Sequence, residues 1–421
     1  MNNEYILVES SNSIFGQVDL AGAKNAVLVI MASLILTSGK SILKNVPNSE
    51  DVWQMMNLLK QLGAHVNFDF ENGKLEVDTS TINKFVVSPE IMKKMRASIL
   101  VMGPLLARFS KAEVALPGGC ILGARPIDFH LKLFKEMGVQ ISLSGEFLSA
   151  HVTKWQAKRL VLEYPSVGAT ENALMAALAI PGTTQIINAA IEPEVLDLIE
   201  ILKKMGAQIN ILPPATIEIK HAAFLNPVEH EIMPDRLEAG SLLLAAAVAG
   251  GEIIVEKAPA HHMDVFLMKL KEMGHDVQVL DNVIKFKATK NPQAVSFRTM
   301  PHPGFPTDLQ APMLVAQTLA EGQSIIQETV FENRMLHVLE LKKMGADISL
   351  DGTTAIINGV KQLNAADVNA TDIRSSCALV LAGLAAKGQT KISGVHHLRR
   401  GYQEFDKKLS KLGAKISIKC Y

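Results

Sequence analysis

The chain has 421 residues, of which 48% are hydrophobic and 20% charged, so it can bury more than one hydrophobic core. Its formal net charge is zero, and the lack of a basic excess argues against a nucleic-acid or acidic-membrane partner. The cysteines Cys120, Cys377 and Cys420 lack metal-ligand or disulfide spacing, which favours a reducing compartment.

The N-terminal residues show no targeting or membrane pattern. They lack the basic and then apolar segments of a secretion signal. The longest apolar run, Ala26–Leu36, is shorter than the roughly 18–20 residues that a bilayer span requires. We therefore expect a cytoplasmic protein without membrane insertion.

A pattern of helix, stop and strand recurs six times along the chain. Its glycines are spaced 68 to 75 residues apart: Gly63, Gly138, Gly206, Gly274, Gly345 and Gly413. Lysines lie in the last predicted helical turn before each glycine, where they favour the negative end of the helix dipole. Glycine ends the helix because it adopts a left-handed backbone without a Cβ clash. Apolar and polar residues then alternate, as in a half-buried strand.

An additional helix precedes each of these patterns. It begins at a polar head and continues as an Ala-, Leu- and Val-rich run that is apolar on nearly all sides, which predicts a buried helix. The heads are Lys24-Asn25, Met95-Arg96, Gly168–Glu171, Asp235-Arg236, Thr307-Asp308 and Thr371–Arg374. We predict an α/β fold of two inside-out, barrel-like domains, each of three repeats with buried helices and outer sheets. The break between them is predicted near Pro227–Pro234.

The helix heads predict an anion-binding site. Helix N-termini carry free N–H groups and positive partial charge, so heads that converge in a cleft between the domains would attract anions. Arginine suits phosphate and carboxylate oxygens because its fork is planar. Basic residues stand at or near the heads: Lys24, Arg96, Arg125, Arg334, Arg374 and Arg400. The alternative for each is a solvated surface charge.

Three further positions are candidates for proton transfer. Cys120 lies in the glycine- and proline-rich segment Pro117–Pro126, where nearby arginines would favour its thiolate; the alternative is a turn with an incidental small residue. Asp308 and Asp372 head two helices and are candidate bases, with an N-cap as the alternative. The pair His261-His262 has no further ligand at metal spacing, and no phosphate or dinucleotide loop is found. We therefore expect no metal and no cofactor.

Eight motifs in chain order resemble the family of UDP-N-acetylglucosamine enolpyruvyl transferases. They are Ala21–Ala26, Met95–Ser98, Pro117–Pro126, Ser166–Thr170, Phe305–Asp308, Glu332–Arg334, Thr371–Arg374 and Arg400–Tyr402. Together they cover essentially the whole chain. The related enolpyruvylshikimate-phosphate synthases share the six-repeat plan but lack the cysteine loop.

The resemblance implies a specific reaction and a specific domain division. Residues 24–233 would form one domain, and residues 1–23 plus 234–421 the other. The enolpyruvyl group of phosphoenolpyruvate would move to the 3′-hydroxyl of UDP-N-acetylglucosamine with release of phosphate, the first committed step of peptidoglycan synthesis. Transfer to another acceptor, such as shikimate 3-phosphate, and a non-catalytic repeat scaffold remain alternatives. The sequence gives no oligomeric state.

The resemblance also implies residue roles. Cys120 would be the proton donor, the site of a covalent adduct and the target of fosfomycin, and Asp308 would be the base. Asp372 would lie close to the reacting carbon, and Lys24 and Arg400 would also be catalytic. The implied phosphoenolpyruvate ligands are Lys24, Asn25, Arg125, Arg334, Arg374 and Arg400. The implied UDP-N-acetylglucosamine ligands are Arg96, Arg125, Pro126, Ile127, Asp128, Phe129, Tyr164, Pro165, Ser166, Val167, Asp308 and Val330. At Tyr164 and Leu100 some members have lysine and tryptophan, so contacts to the UDP end differ there.

Overall fold

The computed structural model describes residues 4–11, 13–94, 96–115, 127–145 and 147–420. Within these ranges the chain forms two compact units. The unit that we call the N-unit comprises residues 22–115 and 127–233. The other, the C-unit, comprises residues 4–21 and 234–420.

Helices and strands alternate along the whole described chain. The helices are α1 (Lys24–Ser33), α2 (Glu50–Leu62), α3 (Pro89–Lys94), α4 (Met102–Phe109), α5 (Asp128–Glu136), α6 (Val167–Ala177), α7 (Pro193–Lys204), α8 (Arg236–Ala249), α9 (Asp264–Glu272), α10 (Gln310–Thr318), α11 (His337–Lys343), α12 (Ile373–Ala385), α13 (Val395–Gly401) and α14 (Phe405–Lys411). Short 3-10 turns are Leu34–Leu36, Arg96–Val101, Ala260–His262 and Thr307–Leu309. The strands are β1 (Glu4–Glu9), β2 (Ile14–Asp19), β3 (Lys40–Lys44), β4 (His65–Asp69), β5 (Lys74–Asp78), β6 (Val86–Val87), β7 (Lys111–Ala115), β8 (Val139–Ser144), β9 (Phe147–Val152), β10 (Arg159–Val161), β11 (Thr183–Ile187), β12 (Ile209–Leu212), β13 (Thr216–Lys220), β14 (Glu229–Glu231), β15 (Gly251–Glu256), β16 (Asp276–Leu280), β17 (Val283–Lys287), β18 (Phe297–Arg298), β19 (Gln323–Gln327), β20 (Asp347–Asp351), β21 (Thr354–Asn358), β22 (Asp367–Asn369), β23 (Gln389–Ser393) and β24 (Ile416–Cys420).

The strands of the described residues form six sheets of four strands with one shared plan. In each sheet the first two strands are parallel to each other, and the third and fourth strands each run antiparallel to the strand before them. The N-unit holds β14-β3-β5-β4, β6-β7-β9-β8 and β10-β11-β13-β12. The C-unit holds β2-β15-β17-β16, β18-β19-β21-β20 and β22-β23-β1-β24. Each of the six repeats therefore contributes at least three of the four strands of one sheet.

The two N-terminal strands complete sheets of the C-unit. β1 lies between β23 and β24, with Ile6 opposite both Ile392 and Ile418, and supplies the strand that the sixth repeat lacks. β2 pairs in parallel with β15, so it takes the first place in the sheet of the fourth repeat. The third repeat's last strand, β14, instead closes the sheet of the first repeat by pairing with β3.

The predicted buried helices form the core of each unit. In the C-unit α8, α10 and α12 pack against one another, and in the N-unit α4 packs against α6. Strands bury one face only: in β19, Ser324 and Ile326 are buried whereas Gln323, Ile325 and Gln327 are exposed. The predicted α/β fold with buried helices and outer sheets is confirmed.

The six predicted stops are also confirmed. α2 ends at Gly63, whose φ of 111° is left-handed and whose N–H bonds to carbonyls of the last turn. The other five repeat glycines share this positive φ. A strand begins shortly after each of them, so the repeated stretch is a change from helix to sheet.

Candidate active site

The Asp308 carboxylate of the C-unit is held between two arginines. Arg374 Nη2 donates to Oδ2 at 2.7 Å, and Arg334 Nη2 donates to Oδ1. The side chains of Arg334 and Arg374 are only 4% and 7% exposed, and that of Asp308 is 23% exposed. For these two arginines the alternative of a solvated surface charge is therefore wrong.

The charge state of Asp308 follows from this pairing. Burial alone would raise the pKa of its carboxyl, but the charges and hydrogen bonds of Arg374 and Arg334 hold that pKa well below its usual range. Asp308 is thus an anion at neutral pH. The Nε–H of Arg334 is buried and has no acceptor among the described residues.

A second layer of polar side chains supports Arg374. Its Nη1 donates to the Tyr402 hydroxyl oxygen at 3.1 Å. Ser241 Oγ lies 2.9 Å from that hydroxyl and donates its own proton to the Leu237 carbonyl at 2.8 Å. The Tyr402 hydroxyl must therefore donate to Ser241, which leaves its oxygen free to accept from Arg374. Burial raises the pKa of Tyr402 well above its usual value, so the hydroxyl keeps its proton.

The two candidate aspartates differ in their local roles. Asp372 is the N-cap of α12, and its Oδ1 accepts from Arg374 N at 2.8 Å and Ser375 N at 3.0 Å. Asp308 lies inside the 3-10 turn before α10 and caps nothing, so the N-cap alternative holds for Asp372 and is wrong for Asp308.

Arg400 lies in the last turn of α13. Burial and the charges of His396 and Arg400 lower the pKa of His397 to about 4, whereas Asp372 acts in the opposite direction. Asp372 caps the start of α12, and α12 packs against α13. This places two more of the predicted catalytic residues around α12 and α13.

Lys24 begins α1 in the N-unit, with Asn25 next to it. Its Nζ lies 3.3 Å from Asp51 Oδ2, and the two side chains are 12% and 5% exposed. The glycine of this motif is required by close packing, because a Cβ on Gly22 would lie 1.8 Å from the Asn45 carbonyl oxygen. The lysine is thus held on a tightly packed backbone beside a buried carboxylate.

The two described stretches predicted to bind the nucleotide sugar lie at helix starts. Residues 127–129 begin α5, and residues 164–167 lead into α6, where Ser166 is the N-cap. A buried network ties these helices together: Asn172 Nδ2 lies 2.9 Å from His130 Nδ1 and donates to the Ile99 carbonyl at 3.0 Å. The stretches are therefore carried on rigid elements.

Some predicted residues are described partly or not at all. Cys120, Arg125 and Pro126 lie outside the described residues, as does the side chain of Arg96, whose backbone begins a 3-10 turn. Val330 follows β19, and its N–H donates to Glu328. The convergence of N-unit and C-unit residues in one cleft stays a prediction.

Sequence reasoning missed several partners of the candidate residues. Asp51, Ser241 and Glu328 were not singled out, and Thr307 and Tyr402 stood in motifs without a role. The contacts between side chains that reveal them span 21 residues or more, as in Glu328 with Thr307 or Lys24 with Asp51. A sequence motif consists of residues that are adjacent in the chain, so it does not predict contacts between residues that are far apart in sequence.

The described residues contain neither a cluster of metal ligands nor a membrane-spanning helix. In that part of the chain, no three or more His, Cys, Asp or Glu side chains are grouped so that they could hold a metal ion. None of its helices combines the length and apolarity that crossing a bilayer would take.

Comparison with known proteins identifies the family. The family model described as EPSP synthase (3-phosphoshikimate 1-carboxyvinyltransferase) matches residues 8–409. UDP-N-acetylglucosamine 1-carboxyvinyltransferase 1 of Caldanaerobacter subterraneus is 46% identical over 411 residues, which is 97% of this chain and 98% of that protein. The UDP-N-acetylglucosamine 1-carboxyvinyltransferase of Thermodesulfovibrio yellowstonii is 45% identical over 412 residues, which is 98% of both chains.

Solved structures agree on the fold. The enolpyruvyl transferase NikO from Streptomyces tendae has a TM-score of 0.91 at 23% identity, over 99% of both chains. EPSP synthase from Acinetobacter baumannii has a TM-score of 0.77 at 17% identity, also over 99% of both chains. The matches in sequence confirm the resemblance carried by the eight motifs and set aside the scaffold alternative: this chain belongs to the enolpyruvyl transferase family of enzymes.

Proposed function

We propose that this chain transfers the enolpyruvyl group of phosphoenolpyruvate to the 3′-hydroxyl of UDP-N-acetylglucosamine and releases phosphate. The observation that carries the proposal is identity of 45% and 46%, over nearly the whole length, with two UDP-N-acetylglucosamine 1-carboxyvinyltransferases. The reaction would be the first committed step of peptidoglycan synthesis, and so serve cell-wall growth, cell shape and division. We propose a cytoplasmic location for it.

The chemistry proceeds by addition and then elimination. Asp308 takes the proton of the sugar 3′-hydroxyl while the hydroxyl oxygen bonds to C2 of phosphoenolpyruvate. The Cys120 thiol gives a proton to C3. The resulting tetrahedral intermediate carries the phosphate. The Cys120 thiolate then takes a proton back from C3 as the C2–O bond to phosphate breaks, and the proton held by Asp308 leaves with the phosphate. This restores the double bond and both side chains. No electrons are gained or lost overall, so no redox cofactor is required.

The charged residues have separate tasks in this proposal. Phosphoenolpyruvate is bound by Lys24, Asn25, Arg125, Arg334, Arg374 and Arg400, with Asp372 near the reacting carbon. The nucleotide sugar is bound by Arg96, Arg125, Pro126, Ile127, Asp128, Phe129, Tyr164, Pro165, Ser166, Val167, Asp308 and Val330. These sets draw on both compact units, which we take to be the two domains, with 24–233 as one and 1–23 plus 234–421 as the other.

The pairing of Asp308 with two arginines bears on its role as a base. A carboxylate with so low a pKa holds a proton poorly. The phosphate and carboxylate of phosphoenolpyruvate would compete with Asp308 for Arg334 and Arg374. As they take over the hydrogen bonds of the two guanidinium groups, the pKa of Asp308 rises and its oxygen becomes free for the hydroxyl. Binding of phosphoenolpyruvate would thus make Asp308 a stronger base.

A second candidate acceptor is shikimate 3-phosphate. The description of the matching family model, 3-phosphoshikimate 1-carboxyvinyltransferase, favours it. The identity of 45% and 46% to transferases named for the UDP sugar favours UDP-N-acetylglucosamine instead. Phosphate release from phosphoenolpyruvate, measured with each acceptor alone, separates the two.

Cys120 provides a further test of the proposed site. Cys120→Asp keeps an acidic group but loses the sulfur nucleophile, so it should retain some turnover and lose covalent labelling by fosfomycin. Intact-protein and peptide mass spectrometry would show one adduct on the wild type and none on the variant. Cys420→Ser, which removes an exposed cysteine, is the matched control and should still be labelled. Labelling of the Cys120→Asp variant at position 120 would contradict the assigned nucleophile.

A further inference from the structure

Glu328 is a buried carboxylate next to the candidate active site. It follows β19 directly, and the whole residue is only 2% exposed. A buried carboxylate is stable only when hydrogen-bond donors surround it. We therefore expect Glu328 to be bound by donors from the segments around it.

Four hydrogen bonds converge on this carboxylate. Oε1 accepts from Thr299 Oγ1 at 2.8 Å, from Val330 N at 2.8 Å and from Phe331 N at 3.1 Å. Oε2 accepts from Thr307 Oγ1 at 2.8 Å. One oxygen thus fixes the loop after β19, and the other fixes the residue before Asp308.

The Thr307 hydroxyl passes this constraint to an arginine. Because it donates to Glu328, its oxygen is left to accept, and Arg334 Nη1 donates to it at 2.8 Å. The other terminal nitrogen of the same guanidinium donates to Asp308. Glu328, Thr307 and Arg334 therefore form a directed chain that ends at the Asp308 carboxylate.

We propose that Glu328 is a positioning residue, which sets the orientation of the Arg334 guanidinium through the Thr307 hydroxyl. It touches no reacting atom. Because Glu328 accepts the Thr307 proton, Thr307 can offer only its oxygen to Arg334. The Arg334 guanidinium therefore keeps its orientation when a substrate anion replaces Asp308 as its partner. This inference rests on the proposed function, in which Arg334 binds phosphoenolpyruvate.

Glu328→Gln tests the proposal because it changes one oxygen and preserves shape. The amide oxygen can keep the three Oε1 contacts. The NH2 group then faces Thr307, whose oxygen already accepts from Arg334, and the Thr307 proton loses its acceptor. The flipped amide is worse, because its NH2 would face two backbone N–H groups. Thr307→Val breaks the same chain at its middle.

Both variants should raise the KM and the Kd for phosphoenolpyruvate about 10-fold, and change the KM for UDP-N-acetylglucosamine less than about twofold. The double variant should be no worse than the worse single variant, because both interrupt one chain. Thr299→Val removes one Oε1 contact and the acceptor of the Thr329 N–H but leaves Oε2, Thr307 and Arg334 in place. It should therefore lower the melting temperature without raising the phosphoenolpyruvate Kd.

Calorimetric Kd values keep this test separate from that of the reaction. If the wild type binds phosphoenolpyruvate but releases no phosphate with the UDP sugar, the proposed reaction fails and the Kd comparison still decides the role of Glu328. Unchanged phosphoenolpyruvate Kd in Glu328→Gln and Thr307→Val would overturn the positioning role. So would losses that simply multiply in the double variant, or an equal rise in Kd for Thr299→Val.

Discussion

Asp308→Asn is expected to lower kcat for phosphate release by about 100-fold to 10,000-fold, the range typical of a lost general base. The amide has nearly the size of the carboxylate but cannot take the proton of the sugar hydroxyl. It also offers one acceptor oxygen where Arg334 and Arg374 now use two. The loss therefore combines missing proton transfer with a disturbed arginine pair.

Steady-state kinetics with both substrates measures this effect, with the melting temperature as a check of folding. Asp351→Asn is the matched control, because Asp351 is an exposed carboxylate on β20 of the same unit. It should keep the activity of the wild type. Activity of Asp308→Asn within about twofold of the wild type would show that another group is the base.

The pH dependence should agree with the position of Asp308. In the free protein its pKa lies well below the ordinary value of 3.8, so it is already ionised at any pH above that value. The profile of kcat/KM reports groups of the free enzyme. Asp308 should thus contribute no rise in kcat/KM between roughly pH 5 and 8.

Arg374→Met should lower kcat/KM for phosphoenolpyruvate by about 100-fold to 1,000-fold, as expected when a preorganised donor to developing charge is removed. Arg374 is backed by Tyr402 and Ser241 and pairs with Asp308, so its orientation is set before any ligand binds. Methionine fills similar space without charge. Arg374→Lys keeps the charge but loses the planar fork, so it should fall between the wild type and Arg374→Met.

Titration of each variant with phosphoenolpyruvate and with UDP-N-acetylglucosamine separates the two substrates. The affinity for the sugar should change little, because Arg374 is assigned to the other substrate. Arg298→Met removes an exposed arginine of β18 and serves as the control. Unaltered phosphoenolpyruvate kinetics in Arg374→Met, or an equal loss of sugar affinity, would contradict the assignment.

The local part of the fold could be predicted from the sequence because its causes are local. Gly63 ends α2 with a left-handed backbone, and the alternation after it makes a strand whatever the rest of the chain does. The same reasoning located Lys24 and Asp372 at helix starts. Completion of the sixth sheet by β1 could not be predicted, because its partners in β23 and β24 lie at the opposite end of the chain.

In the candidate site, too, the residues could be predicted from local motifs but their contacts could not. Motifs found Asp308, Arg334 and Arg374 but not that they bind one another, since Asp308 and Arg374 are 66 residues apart. Ser241 and Tyr402 are 161 residues apart and meet only because α8 packs on α12, which lies against α13. The role of Glu328 could not be predicted for another reason. A single glutamate after a strand has the same sequence pattern whether it is solvated or buried.

The most direct test of the proposed reaction is phosphate release from phosphoenolpyruvate, followed together with the mass of the acceptor. With UDP-N-acetylglucosamine, we predict equal amounts of released phosphate and of a sugar nucleotide that has gained the enolpyruvyl group. With shikimate 3-phosphate alone, we predict neither. Phosphate release that depends on shikimate 3-phosphate, with the UDP sugar unchanged, would contradict the account.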